Sequence, residues 1–494
     1  MPHALSKSRI MAARQCARRA WLEHNRPALA GGEPGSQRRI EQGHELNTIV
    51  RRLYPAARLI APGMATAEAL LETESCLRAD RVEGVLEGAF SAHGVLVRTD
   101  LVQPDGNGLR LTEIKASTRV KPHHVIDTAI QHWVMREVGW TVSASCVAHI
   151  DKRFLYQGHG EFDGLLRHVD VSEQVAELLV QVPQWIADAG RALALEQEPT
   201  IAVGSQCTDP RACPFLDHCR GAEPDYPVRR LPGGGRIVQE LLADGIDDMR
   251  DVPPDRLHRP LQKRVVEATR QGLTICDPVL GEMLRALPHP RYFLDFESIQ
   301  FAVPRWPGTR PFEDIPFQWS CHIEDADGQV TQREFLDQSG ELPIRRCAEA
   351  LLAACGDVGP ILTYSHFEHS VIGRLAARLP DLKVDLHGLR ERLFDLLPLV
   401  RQHYYHPDMR GSFSIKAVLP TLAPDLDYTA LDRVQDGIGA QIAYEKLLDP
   451  SIDPDTRASI AADLLAYCRL DTLAMVRMVR FFSSPTSDHT VGRT

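Results

Sequence analysis

The chain has 494 residues, 44% hydrophobic and 25% charged, which excludes a fibrous or wholly disordered protein and leaves room for about three domains of roughly 150 residues. With 56 basic against 66 acidic residues the net charge is −10, so a uniformly basic nucleic-acid coat is excluded. There is no run of 18 apolar residues and no apolar stretch in MPHALSKSRIMAARQC, and the 11 cysteines are scattered, so we expect a cytoplasmic protein with reduced thiols and no membrane partner.

Residues 1–60 reverse the overall sign, with 11 Lys/Arg against 4 Glu. Helical spacing predicts helices over 4–23 and 37–54, with arginines on their outer faces. Strands follow at 82–91, 94–102 and 109–116, separated by turns such as Asp105-Gly106-Asn107-Gly108. A helix over 123–138, a strand over 141–150 and a helix over 172–195 complete a first domain at 1–222. Residues 222–236 are rich in Pro and Gly and read as a linker. They open a helical connector, 223–287, in which LLADGIDDMRDVP fits either a phosphate-holding helical hairpin or an ordinary turn. A last domain, 288–483, begins with strands at 292–297, 315–323 and 328–336. It continues as helix 342–355, strand 360–364 and helix 367–379, and closes with a long helix at 455–482. A disordered tail is expected at 484–494. The class is α/β, strands first and then βα alternation.

In the first domain Asp100 ends one strand, and Glu113 and Lys115 share a face of the next. Two carboxylates on adjacent strands can hold Mg²⁺ or Mn²⁺, and a lysine beside them can orient or deprotonate water, the layout of metal-assisted phosphodiester hydrolysis. A surface ion pair is the alternative. In α-β-β-β-α-β order this set resembles the PD-(D/E)XK nucleases of RecB type, including the CRISPR-adaptation exonucleases. The resemblance implies that His44 completes the metal site and that Gln131 assists catalysis. Met135 stands where the family's Q-x-x-x-Y motif carries tyrosine.

Cys207, Cys213 and Cys219 form a compact triplet, and Cys16 lies far upstream. Closing so long a loop is affordable, since each doubling of its length adds only about 0.6 kcal/mol. The set resembles the iron–sulfur staple of RecB-type nucleases and implies a 4Fe-4S cluster, although its C-x5-C-x5-C spacing departs from the commoner C-x2-C-x5-C. Structural zinc, or plain buried cysteines, are the alternatives.

In the last domain Asp295 and Glu297 share one face of an apolar strand, which suits either metal ligation or a wet edge strand. Glu368 follows a strand-to-helix junction, and Tyr467 and Asp471 stand one turn apart on the long helix. Together these resemble the DEDD exonucleases of the ribonuclease-H-like fold, in the tyrosine subgroup. The resemblance implies metal ligation by Asp295, Glu297, Asp471 and Glu368, the last replacing the usual aspartate, and orientation of water by Tyr467. Tyr405 and Lys416 lie in an aromatic and basic stretch suited either to stacking on a base or to ordinary packing.

The order of both modules resembles a bacterial family that fuses a RecB-like nuclease to a DEDD-type exonuclease. It implies a metal-dependent nuclease acting on DNA through two modules. The rivals are a nucleic-acid-binding scaffold with decayed sites, and an RNA exonuclease whose first module only binds.

Overall fold

The strands build a seven-stranded sheet, a five-stranded sheet and a two-stranded pair. The computed structural model describes residues 5–32, 35–79, 81–221, 223–426 and 434–484, so all of the expected tail except Ser484 lies outside the described residues. Two units divide the chain, Met1–Gly221 with Gln300–Glu313 and Ala222–Ile299 with Asp314–Thr494. No helix among the described residues is long and apolar enough to cross a membrane.

The first unit holds strands β1 (Leu5–Ser6), β2 (Arg58–Leu59), β3 (Val85–Ala92), β4 (Val95–Asp105), β5 (Gly108–Lys115), β6 (Val142–Ile150) and β7 (Leu166–Asp170). They run in the order β2-β3-β4-β5-β6-β7, with β1 pairing β4. Strands β3, β4 and β5 form an antiparallel meander, whereas β5 and β6 are parallel. A parallel pair needs a crossover. Helices α1 (Lys7–Gln15), α2 (Ala17–Asn25), α3 (Ser36–Leu53) and α4 (Thr66–Leu77) precede the meander, and α5 (Pro122–Glu137) makes that crossover. Helices α6 (Ser172–Leu179), α7 (Val182–Leu193) and α8 (Leu216–Arg220) follow.

Three expectations are corrected here. The helix expected over 4–23 is broken at Cys16, which stands extended at φ −165°, ψ 125° between α1 and α2. The helix expected over 172–195 divides because Pro183, in the first turn of α7, has no N–H to continue the ladder. Residues 300–313, expected in the last domain, fold with the first unit. Ala302 and Val303 are buried among Leu46, Ile49 and Val50, and Arg38 Nη2 donates to Gln300 O at 2.6 Å. Helix α4 and strand β7 are additions to the expected order.

The second unit holds β8 (Ile275–Cys276), β9 (Arg291–Ile299), β10 (Ile315–Glu324), β11 (Val330–Leu336), β12 (Ile361–Thr363), β13 (Leu393–Asp395) and β14 (Tyr404–Tyr405). The main sheet runs β11-β10-β9-β12-β13, and β14 pairs β8. Strand β9 is therefore central, which removes the edge-strand reading. Its helices are α9 (Gly235–Ala243), α10 (Pro260–Gln271), α11 (Pro278–Arg285), α12 (Ile344–Ala354), α13 (Phe367–Arg378), α14 (Lys383–Glu391), α15 (Leu396–His403), α16 (Ile415–Leu422), α17 (Gly437–Leu447) and α18 (Pro454–Ser483).

The connector belongs to this unit rather than standing apart. Its Val228, Leu231, Val238 and Leu241 share one core with Phe293, Leu362, Val400 and Tyr404. Of the two readings of LLADGIDDMRDVP, the helical hairpin is the one that fails. After α9 the chain turns at Gly245 (φ 80°) into short 3₁₀ turns at Met249–Asp251 and Pro254–Arg256, not into a second α-helix.

Candidate active sites

In the second unit, strand alternation sets Asp295 and Glu297 on one face of β9, opposite Ser320 and Gln318 of β10. Helix α18 brings Tyr467 and Asp471, four residues apart and both buried. Carboxylate oxygens of Asp295, Glu297 and Asp471 lie within 4.8 Å of one another, the one three-ligand group of this kind among the described residues. Neither Asp295 nor Glu297 has an ion-pair partner among those residues. Burial, then the charge of Asp471, pushes the Glu297 carboxyl up to about 8, and the same two causes raise Asp295 well above the ordinary range. Buried carboxylates this close repel unless protonated or neutralised, and an all-oxygen set suits a hard divalent cation. The residues present therefore fit Mg²⁺ or Mn²⁺.

Glu368 lies outside that 4.8 Å group, in the first turn of α13, where it accepts from Ser365 Oγ at 3.1 Å. Burial pushes its carboxyl up to about 7, with Asp395 and Asp471 adding to the effect, and its own charge helps to raise Asp295. Lys416, expected at a surface for nucleic acid, instead reaches into this site. Its Nζ donates to Tyr467 Oη at 3.1 Å and its charge acts on Glu297. Cys468 Sγ donates to Asp295 Oδ2 at 3.6 Å, a contact that sequence reasoning missed. Tyr405 is a correction. It is 0% exposed, its hydroxyl meets Thr269 Oγ1 at 3.0 Å and accepts from Gly411 N–H at 3.2 Å, so its ring is core and faces no base.

In the first unit, pairing of Leu101 with Thr112 sets Asp100 beside Glu113, and Asp100 Oδ2 accepts the Ile114 N–H at 2.6 Å. Lys115 Nζ donates to Glu113 and, at 2.9 Å, to Asp127 Oδ2. Gln131 Nε2 donates to Glu113, while Gln131 Oε1 is buried with no partner. Sequence reasoning missed Lys7, whose Nζ lies 3.1 Å from Glu113 Oε1 and 3.0 Å from Asp127 Oδ1. Burial alone would raise Glu113, but Lys115, Lys7 and Gln131 together hold it below the usual carboxylate range. Burial and the Glu113 charge push Asp100 up to about 7. His44 is exposed on α3, and the residues of that helix lining the recess at Asp100 are Asn47, Val50 and Arg51. Glu87, also at that recess, holds a left-handed φ of 58° that non-glycine residues seldom adopt. The oxygen pair Asp100 and Glu113 fits a divalent cation only if the cation competes with two ammonium groups for Glu113.

The cysteine triplet is tied back onto the first helices. Gln15 Nε2 donates to Gln206 O and Arg211 O, each at 2.7 Å, and Gly31 N–H donates to Pro214 O at 2.7 Å. Glu198 joins Arg18 Nε at 2.6 Å to His218 Nε2 at 3.0 Å. Within the loop, Cys213 N–H donates to Cys207 O at 2.8 Å. Burial raises the Cys213 and Cys219 thiols, and Cys16 and Cys207 add to both shifts. Cys213 and Cys219 pack against Trp21, Leu22 and Phe215. Cys16 and Cys207 thus act on both Cys213 and Cys219 beside an apolar patch, but no three of these thiols gather within the 4.8 Å that the acidic group meets.

Residues 292–414 match the family model described as a domain of unknown function, DUF2779. The match includes Asp295, Glu297 and Glu368 and ends before Tyr467 and Asp471. No curated protein matches the chain.

Proposed function

We propose that the second unit is a metal-dependent exonuclease of the DEDD type, in a ribonuclease-H-like arrangement, and that the first is a PD-(D/E)XK nuclease module of RecB type. The substrate is DNA, with RNA the alternative, and the protein works in the cytoplasm. The observation that carries this reading is the convergence of Asp295, Glu297 and Asp471 within 4.8 Å, with Tyr467 one helical turn away. Bound Mg²⁺ or Mn²⁺ at such a set supplies an activated water and charge stabilisation for phosphodiester hydrolysis. Asp295, Glu297 and Asp471 hold the metal, and Glu368 supplies the fourth acid. Lys416 occupies a lone pair of the Tyr467 oxygen, because an ammonium can only donate.

In the first unit Lys115 orients water beside Asp100 and Glu113, and Gln131 holds Glu113 in place. Cys16, Cys207, Cys213 and Cys219 carry a 4Fe-4S cluster, with Zn²⁺ the alternative. A second reading, in which this module only grips the strand, is favoured by one observation: Lys7 and Lys115 both neutralise Glu113.

The test is purified protein with Mn²⁺ or Mg²⁺ on end-labelled single- and double-stranded DNA and RNA. Asp295→Ala should erase exonucleolytic products, and Lys115→Ala should erase those of the first module. If no substrate is cut under any condition, the nuclease reading is abandoned. If Lys115→Ala leaves every product unchanged, the gripping reading stands. Anaerobic protein should be brown and bleach with dithionite, whereas colourless protein with one stoichiometric zinc replaces the cluster by a zinc site.

A further inference from the structure

We propose that the connector and the loop before α16 form a groove for the sugar–phosphate backbone of a single strand, away from the scissile bond. This rests on the exonuclease reading of the second unit and adds a binding site to it. The groove encloses about 780 Å³, and its polar lining includes Arg259, Arg401, Tyr364, Ser412 and Ser414. No carboxylate lines it, in a chain whose net charge is −10. Among the described residues neither arginine has a carboxylate partner. Arg259 Nη1 meets only the Gly233 carbonyl, at 3.0 Å. Cations kept free of acids in an acidic protein are placed for an anion that comes from outside.

The groove runs on past Gly233 and Arg259 into a second recess of about 510 Å³, lined by Gly234, Gly235, Arg236, Arg256 and His258 and also by two acids, Asp255 and Glu240, the latter paired with Arg236 at 2.6 Å. Gly233 and Gly235 take φ of 58° and 40° on either side of right-handed Gly234, at φ −61°, ψ −46°. Backbone that alternates in hand turns successive N–H groups toward one side and makes a concavity for anions. Among the described residues no acceptor takes the N–H groups of Gly235, Arg236 and Ile237. Glycine is required here on steric grounds, since a Cβ on Gly234 would lie 2.2 Å from Val238 Cγ2.

The wall of the groove is continuous in sequence with the acidic site. Tyr364 precedes Ser365, which bonds Glu368, and Ile415 precedes Lys416, which bonds Tyr467. A chain of phosphates leaving the acids would meet Ser414 and Ser412, then Arg401 and Arg259, then the glycine loop. The ligand is thus a polyanion with repeating phosphodiesters, long enough to reach both the acids and the arginines.

The test compares full-length wild type with the double variant Arg259→Ala/Arg401→Ala, using a dinucleotide and 12-mers of single-stranded DNA and RNA. On 12-mers kcat/KM should fall about tenfold or more, and the slope of log kcat/KM against log salt should shrink by about 1.4, two phosphate contacts at about 0.7 each. On the dinucleotide the variant should match wild type. The double lysine variant, Arg259→Lys/Arg401→Lys, should keep most of the 12-mer activity, which separates lost charge from lost folding. The DNA and RNA arms should fall together if the backbone alone is held. Equal 12-mer kinetics and salt slope in wild type and the alanine variant overturn the groove while leaving the exonuclease reading intact. If wild type cuts neither length yet binds 12-mers through the two arginines, the exonuclease reading fails and the groove stands.

Discussion

Lys416 and Tyr467 meet end to end, Nζ donating to the phenolic oxygen at 3.1 Å and lying 4.9 Å from the ring centroid. The pair joins α16 to α18 and places a cation where Glu297 feels its charge. Removing the lysine takes away its bond to the phenol, as Tyr467→Phe does, and also the charge at Glu297. Lys416→Ala and Tyr467→Phe are each expected to lower kcat by about 10- to 100-fold, Tyr467→Phe with little change in Mn²⁺ affinity. The double variant should be no slower than the slower single one, because groups acting as a unit are not additive. Single-turnover kinetics with a parallel Mn²⁺ titration decides it, and an additive loss would show that the two residues act separately.

The second acidic site makes the metal-free protein sensitive to rising pH. Burial and the neighbouring acids push Glu297 up to about 8 and Glu368 up to about 7, so these two groups hold more protons in the folded than in the unfolded chain between about pH 4.5 and 8, and above about pH 7 the histidines lowered by burial no longer oppose them. Stability falls with pH wherever the native state binds the extra protons. In EDTA, thermal unfolding should therefore shift down between pH 7 and pH 8.5, and Mn²⁺ at pH 8.5 should restore it, since a ligand of the native state stabilises by mass action. Asp295→Asn should flatten the pH slope and shrink the metal-induced shift. Scanning calorimetry of both proteins at the two pH values is the check. A wild-type midpoint that rises with pH in EDTA sinks the argument.

Local patterns were legible in the sequence, and long-range ones were not. Asp295 and Glu297 are two apart on a strand, and Tyr467 and Asp471 are four apart on a helix, so periodicity alone put each pair on one face. Lys7 was invisible because it reaches Glu113 across 106 residues. Tyr405 misled because a tyrosine beside basic residues resembles a stacking platform, yet Thr269 and Gly411 satisfy its hydroxyl inside the core. The break at Cys16 has no proline or glycine to announce it. The return of residues 300–313 to the first unit is tertiary, carried by Ala302 and Val303.

Lys7 competes with any metal for Glu113. It bonds both Glu113 oxygens, at 3.1 and 3.3 Å, while Lys115 and Gln131 hold the same carboxylate. Lys7→Ala leaves Glu113 paired with Lys115, so the fold should survive while the barrier to a divalent cation falls. In an Asp295→Asn background, which weakens the second site, Lys7→Ala is expected to tighten Mn²⁺ binding several-fold, read by titration with electron paramagnetic resonance. Weaker binding in that variant would mean that Lys7 positions Glu113 for the metal instead of competing with it.

One short helix connects the thiols to this acid. Lys7 opens α1 and Cys16 closes it, and nine residues at about 1.5 Å each span about 13 Å. Ile10 and Ala12 bury one face of α1, and Gln15 ties its end to the cysteine loop through Gln206 and Arg211. If the proposed cluster fixes Cys16, its loss should loosen α1 and draw Lys7 away from Glu113. Cys213→Ser, again in the Asp295→Asn background, is then expected to lose the visible absorption and to shift first-site Mn²⁺ affinity in the same direction as Lys7→Ala. Adding Lys7→Ala to the cluster-free protein should change that affinity little further, because the contact is already lost. Hydrogen exchange should show α1 opening more often in Cys213→Ser than in its iron-bound parent. A colourless variant with unchanged Mn²⁺ affinity and unchanged α1 protection would mean that the packing of Ile10 and Ala12 holds the helix without the metal group.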